Sequence, residues 1–107
     1  MPDFSPIPKR LLQARTLANI SQRELGIKIG MEPSSASSRM NHYEKGRHTP
    51  DYQTLKRLAD ELNVPVTFFF CESDKVADLL CLINQLNEAD TDLLRQYAFN
   101  LLEESKP

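Results

Sequence analysis

Glycine is nearly missing from this chain, at three residues in 107, and tryptophan is absent altogether. So few glycines leave little of the positive-φ turn chemistry that an all-β sandwich or barrel needs, and that class is disfavoured. Cysteine is scarce too. Cys71 and Cys81 stand ten residues apart, and His42 and His48 have no close Cys or His pair beside them. Neither set has zinc-ligand spacing, so no metal is expected. Cys71 ends an aromatic run and Cys81 sits in an apolar helical stripe, so both read as reduced thiols packed as small hydrophobes. Long hydrophobic runs are lacking: the longest, Val64 to Cys71, contains Pro65 and Thr67. It falls far short of the roughly 20 residues of a membrane span. The opening MPDFSPIPKR has no charged segment followed by an apolar one, so a cytoplasmic protein without a secretory leader is expected. There is no nucleophile–base–orienter set, no phosphate-cradling glycine loop and no pair of metal ligands. An enzyme is therefore not expected, nor a cofactor.

What the chain does have is 40% hydrophobic and 26% charged residues, enough to fold one small domain with an appended element. The net charge of −2 conceals an uneven distribution. Up to Pro65, ten basic residues face seven acidic ones, a balance of +3; from Val66 onward, three face eight, a balance of −5. The two halves differ in sign, which suggests different surroundings for each.

The periodicity is helical throughout. The first seven residues, with Pro2 and Pro6, read as a short arm, and Pro8 suits a first helical position. Ile7, Leu11, Leu12, Arg15 and Ala18 predict helix 1 over about 8–17. After the turn Ala18-Asn19-Ile20, the segment Ser21-Gln22-Arg23-Glu24 has the form of a reciprocal capping box. It opens helix 2, which runs to Ile29 and stops at Gly30. Helix 3 restarts at Pro33 with Ala36, Met40 and Tyr43 inward, and Gly46 closes it. Tyr52, Leu55, Leu58, Ala59 and Leu62 form the stripe of helix 4, ended by Asn63. A short fifth helix is predicted over about 65–70. Two short helices around a glycine turn, in a bundle of five, suggest a helix-turn-helix. Beyond Cys71, Ser73 or Asp74 caps a helix with Val76, Leu79, Leu80 and Ile83 inward. Asn87 then caps a last helix carrying Leu93, Leu94, Tyr97, Ala98, Leu101 and Leu102.

From Lys9 to Phe69 the chain resembles the XRE, or lambda-repressor-like, family of helix-turn-helix transcriptional regulators. The matching pieces are Leu11 to Arg15, Ser21-Gln22-x-x-Leu25, Gly30, Tyr43-Glu44-Lys45-Gly46, Pro50, and Leu55-x-x-Leu58-Ala59-x-x-Leu62 with Val64. The resemblance implies a five-helix DNA-binding domain, taken over residues 1–71; with the C-terminal helical hairpin that the periodicity predicts over 72–107, the expected fold is all-α. One departure matters. Gly30 and Glu44 lie four residues farther apart than the family pattern sets them, about one extra helical turn of ~5.4 Å. Either helix 3 gains a turn near Pro33-Ser34-Ser35, or the preceding loop is longer.

In a helix-turn-helix the second helix enters the major groove by its N-terminal half, and helix N-termini favour phosphate. By the resemblance, Gln22 contacts phosphate, with Arg23 beside it either a further contact or a solvated charge. Ser34, Ser35, Ser38, Arg39 and His42 form a small polar face on helix 3 (about 33–45). Arg39 suits bidentate pairing with guanine, a contact of roughly 1–3 kcal/mol in discrimination. Ser34 or Ser35 serves either the base edges or the helix cap. The resemblance implies base-facing positions for Ser38 and His42, a peripheral one for Asn41, and phosphate contacts for Lys45 and Arg47, with His48 in the same loop. It also implies that Glu44 pairs with Arg15 structurally, since an exposed carboxylate there would repel phosphate.

Within the acidic C-terminal region, the apolar stripe of Leu79, Ile83, Leu94, Tyr97 and Leu101 either covers the DNA-binding domain or pairs with a second protomer. Dimerisation is the reading taken, because two-fold binders span half-sites roughly 34 Å apart. The sequence-level expectation is thus a homodimeric regulator of double-stranded DNA, most simply a repressor. The competing function class is an antitoxin-like protein-interaction module on the same fold, whose C-terminal helices bind another protein.

Overall fold

The computed structural model describes residues 5–107; the first four, with Pro2 of the expected arm, lie outside the described residues. Six α-helices and one 3₁₀ turn follow in order: α1 (Ile7–Leu17), α2 (Gln22–Lys28), α3 (Pro33–Glu44), α4 (Tyr52–Leu62), the 3₁₀ turn (Val66–Phe70), α5 (Asp74–Gln85) and α6 (Glu88–Glu104). There is no strand among the described residues.

Local chemistry accounts for the boundaries. Helix α1 begins one residue before the proline expected to open it, with Pro6 as its cap residue and Pro8 inside its first turn. At α2 the Ser21 hydroxyl oxygen accepts from the Glu24 N–H at 3.0 Å. The Glu24 carboxylate, though, accepts from the Ser21 hydroxyl at 3.2 Å, so only half of the expected capping box forms. Helix α2 ends at Lys28, with Gly30 at φ +101°, a conformation few residues other than glycine adopt. Asp51, Ser73 and Asn87 accept from the N–H groups of Thr54, Val76 and Asp90 at 2.8, 3.2 and 2.7 Å, starting α4, α5 and α6. Asn63 ends α4 at φ +56°. The expected fifth helix is a tighter 3₁₀ segment of Val, Thr and three Phe, where branched and aromatic side chains work against an α turn.

The core lies between α1, α2, α3, α4 and the 3₁₀ turn. Leu11, Leu25, Met40, Leu58 and Phe69 are fully buried there, each stabilising by about 1.5–3 kcal/mol. Tyr52 does not join them: it is exposed at the outer end of the α4 stripe, which is carried inward by Leu55, Leu58, Ala59 and Leu62.

Helix α5 presents a different face from the one expected. Val76 and Leu79 point to solvent, and Leu80 and Ile83 are only half-buried. Ala77 is instead fully buried and Cys81 packs behind it on the core. The small side chains at these i and i+4 positions let the helix approach closely, which leaves the larger ones outside. Helix α6, joined to α5 through Leu86 and Asn87, buries none of its residues. The molecule is accordingly elongated, 57 × 37 × 22 Å, with a radius of gyration of 16.4 Å. A compact chain of this length would have about 13 Å.

Candidate nucleic-acid interface

Helices α2 and α3 form the tightest helix pair, and Gly26 is why. A Cβ placed on Gly26 would stand 2.8 Å from the Ala36 Cβ and 3.1 Å from the Met31 Sδ. The pair is joined by four residues, Ile29 to Glu32, and α3 itself is 12 residues long. The additional residues between Gly30 and Glu44 therefore lengthen α3 rather than the turn.

Along α3, Ala36, Met40 and Glu44 recur at i+4 on the buried side. At roughly 100° per residue, Ser34, Ser38, His42, Ser35 and Arg39 share the opposite arc of about 140°. Ser34, Ser38 and Arg39 are exposed, and Ser35 and His42 half-buried. The start of α3 has no side-chain cap; Ser35 turns its hydroxyl to the Glu32 carbonyl at 3.4 Å. Neither serine side chain therefore caps the helix; in its first turn Pro33 has no N–H, and the Ser35 N–H donates to the Glu32 carbonyl at 3.0 Å.

The far end of α3 is anchored by charge. Arg15 donates from Nε to Glu44 Oε2 at 2.5 Å, from Nη2 to Glu44 Oε1 at 3.1 Å, and from Nη1 to the Ile20 carbonyl at 2.9 Å. Glu44 is almost wholly enclosed, so its charge faces Arg15 rather than solvent. Gln22, the first residue of α2, joins the same group: its amide donates to Glu44 Oε1 at 3.0 Å and to Asn41 Oδ1 at 3.2 Å. Both amide N–H groups are thus engaged, and donation from this side chain to a phosphate requires trading one of them. Asn41, which the sequence places at the periphery, is half-buried as the link between the two helices.

Arg23, Lys45 and Arg47 are exposed. The loop holding Lys45 and Arg47 is folded under α3: the N–H groups of Arg47 and His48 reach the His42 carbonyl at 2.9 and 3.4 Å. The His42 and His48 rings meet edge to face, 5.1 Å between centroids. Lys45 and His48 line a cleft with Ser5, Lys9, Tyr43 and Thr49, while the Lys9 ammonium itself donates to Asp74 at 2.9 Å. Sequence spacing does not show this cleft, because the two ends of it meet only through the packing of α1 on α3. Among the described residues no group of three or more His, Cys, Asp or Glu is placed to hold a metal ion.

A family model described as helix-turn-helix matches residues 11–69. An uncharacterized HTH-type transcriptional regulator of Sinorhizobium medicae is 33% identical over 64 residues, which is 60% of this chain and 43% of that protein. The vegetative-specific protein H7 of Dictyostelium discoideum is 32% identical over 65 residues, 60% of this chain and 59% of that one. The chain thus spans about half the length of the curated relatives it matches. A crystal structure of the transcriptional regulator BswR superposes with a TM-score of 0.86 at 36% identity, covering 94% of this chain and 99% of that one. That likeness takes in α5 and α6, which the family model leaves out. The order of the helices, the residues that join α1, α2 and α3, and these likenesses agree: the chain belongs to the XRE-type, lambda-repressor-like helix-turn-helix family.

Proposed function

We propose that this protein is a cytoplasmic, sequence-specific regulator of transcription that binds double-stranded DNA as a homodimer and acts as a repressor. The observation that carries this reading is α3: an uncapped N-terminus and an outward arc of Ser34, Ser35, Ser38, Arg39 and His42, held rigid by the bonds from Arg15 and Gln22 to Glu44. Small side chains let this face approach the base edges in the major groove, and Arg39 supplies the one long bidentate donor. Arg23, Lys45 and Arg47 are exposed around it and suit phosphate, which gives affinity and orientation without sequence choice. The naming of relatives and a structural neighbour as transcriptional regulators supports the same role. Repression follows most simply from occlusion of a promoter by the bound protein.

The dimer rests on α5 and α6. Leu79, Tyr97 and Leu101 are exposed, with Ile83 and Leu94 half-buried beside them. A 17-residue helix with no fully buried residue gains little of the tertiary packing that stabilises most helices in proteins. Pairing this stripe with a second copy supplies the missing burial and sets two α3 helices on one duplex. The same exposed stripe also favours a second reading, in which another protein takes that place on an antitoxin-like module.

Retardation of a duplex from the region upstream of its own gene tests the first reading. Binding should weaken steeply with salt. Arg39→Ala should change base preference at one position by about 1–3 kcal/mol, whereas Lys45→Ala should lower affinity evenly and reduce the salt slope by about one. A protein that retards neither this duplex nor any from a random pool at low salt is not a DNA-binding regulator.

A further inference from the structure

Arg10, on α1, is the largest fully buried side chain. Its guanidinium donates from Nε to the Cys71 carbonyl at 2.8 Å, from Nη2 to the Glu72 carbonyl at 3.2 Å, and from Nη1 to Gln13 Oε1 at 2.8 Å. Nη2 also lies 3.0 Å from Asp74 Oδ1, and the group sits 5.6 Å from the centre of the Phe68 ring. Its partners beyond α1 are thus concentrated at one place, the irregular segment Cys71-Glu72-Ser73 between the 3₁₀ turn and α5, and the first residue of α5.

Backbone bonds hold that segment only at its two ends: the Cys71 N–H donates to the Phe68 carbonyl at 3.3 Å, and the Ser73 carbonyl accepts from the Ala77 N–H at 2.9 Å. Two successive carbonyls on it are taken by one planar fork, and Asp74 by the same fork and by Lys9 at 2.9 Å. A guanidinium presents its N–H groups in fixed relative directions, so satisfying four acceptors at once fixes where they stand. An arginine buried this completely is costly unless every donor direction is used, and here none of the buried side-chain polar atoms among the described residues lacks a partner.

Five residues along the same helix, and about 140° around it, Arg15 holds Glu44 at the end of α3. Helix α1 thus grips the extension with one arginine and the DNA-reading helix with another. We infer that Arg10 is a positioning residue for half-site spacing: by clamping the Cys71–Asp74 segment to α1, it fixes the angle between α3 and the paired α5–α6 extensions, and so the separation at which the dimer accepts two half-sites. This rests on the DNA-binding homodimer proposed above. Without the clamp, α5 still packs by Ala77 and Cys81, so the dimer forms but each reading head swings.

The test uses duplexes carrying two copies of the half-site that the wild-type chain selects from a random pool, separated by increments of one base pair. Wild type should bind one spacing on the order of tenfold more tightly than spacings two base pairs away, because bivalent gain is lost when geometry forbids simultaneous contact. Arg10→Met should remain a dimer by light scattering and keep its base preference within a half-site, yet show a spacing curve flattened to within about twofold. Where Arg10→Met fails to fold, Arg10→Lys is read instead. It keeps the charge opposite Asp74 but lacks the fork, and its curve should flatten likewise. A dimeric variant whose optimum stays as sharp as wild type overturns the inference and leaves the DNA-binding dimer intact. A wild-type chain that is monomeric, or that binds no duplex, overturns both.

Discussion

Glu44 and Asp74 show how one residue type is put to different structural use by its surroundings. Glu44 is enclosed and shared between Arg15 and Gln22, so it ties α1, α2 and α3 at one point. The pairing with Arg15 was readable through the family resemblance, but the share taken by Gln22 and the link through Asn41 was not, because it depends on how close α2 lies to α3. Asp74 is exposed, and hydrogen bonds from Lys9 and Arg10 hold its carboxyl below the ordinary 3.8. Asp51 is lowered as well, by the Thr54 N–H it accepts as the cap of α4. A carboxyl whose folded pKa is depressed stabilises the fold above its unfolded pKa, and that stability is lost as pH falls through the folded value. The urea midpoint of the wild type should therefore decline below about pH 4, modestly since both groups are exposed. In Asp74→Asn part of that decline should be missing, with the two curves converging at the acid end. Parallel curves down to about pH 2 would show that Asp74 contributes nothing to acid stability.

Helix boundaries were the most legible feature at the level of elements, because they follow from side chains acting on their own neighbourhood. Ser21, Gly30, Asn63, Ser73 and Asn87 each mark an end where one is observed. Which face a helix buries is less local. The 3.6-residue pattern on α5 is ambiguous, being apolar on Val76, Leu79 and Ile83 and small on Ala77 and Cys81, and the neighbours decided for the small side. Gly26 is the same lesson on α2: nothing in its sequence surroundings indicates that Ala36 will stand against it. Replacing it should be costly. In Gly26→Ala the gain in helix propensity, about 1 kcal/mol, is set against overpacking of about 1–3 kcal/mol. The net expectation is a loss of up to about 2 kcal/mol, read from urea unfolding, and a larger loss for Gly26→Val. A Gly26→Ala chain more stable than wild type would show that α2 and α3 can separate without penalty.

For the molecule as a whole, the elongated shape and the unburied α6 are the features on which the proposed dimer is tested. Light scattering should give twice 12.3 kDa for the wild type. Leu79→Glu combined with Tyr97→Glu should give the monomer mass and lower helicity, since both side chains are exposed in the single chain and α6 then loses the burial that pairing supplies. Affinity for a two-half-site duplex should then fall by about 10²-fold or more. A wild-type monomer at high micromolar concentration would assign the stripe to another protein. Caps, turns and 3.6-residue periodicity act within a few residues of chain, so the helical class, the ends of the helices and the family are legible before any packing is known. The place of the added turn in α3, the bonds from Gln22 to Glu44 and Asn41, the grip of Arg10 on the segment before α5 and the bare α6 emerge from packing. Each of these depends on the distance between residues remote in sequence, which is set by the packing of whole helices and not by the order of residues along any one of them.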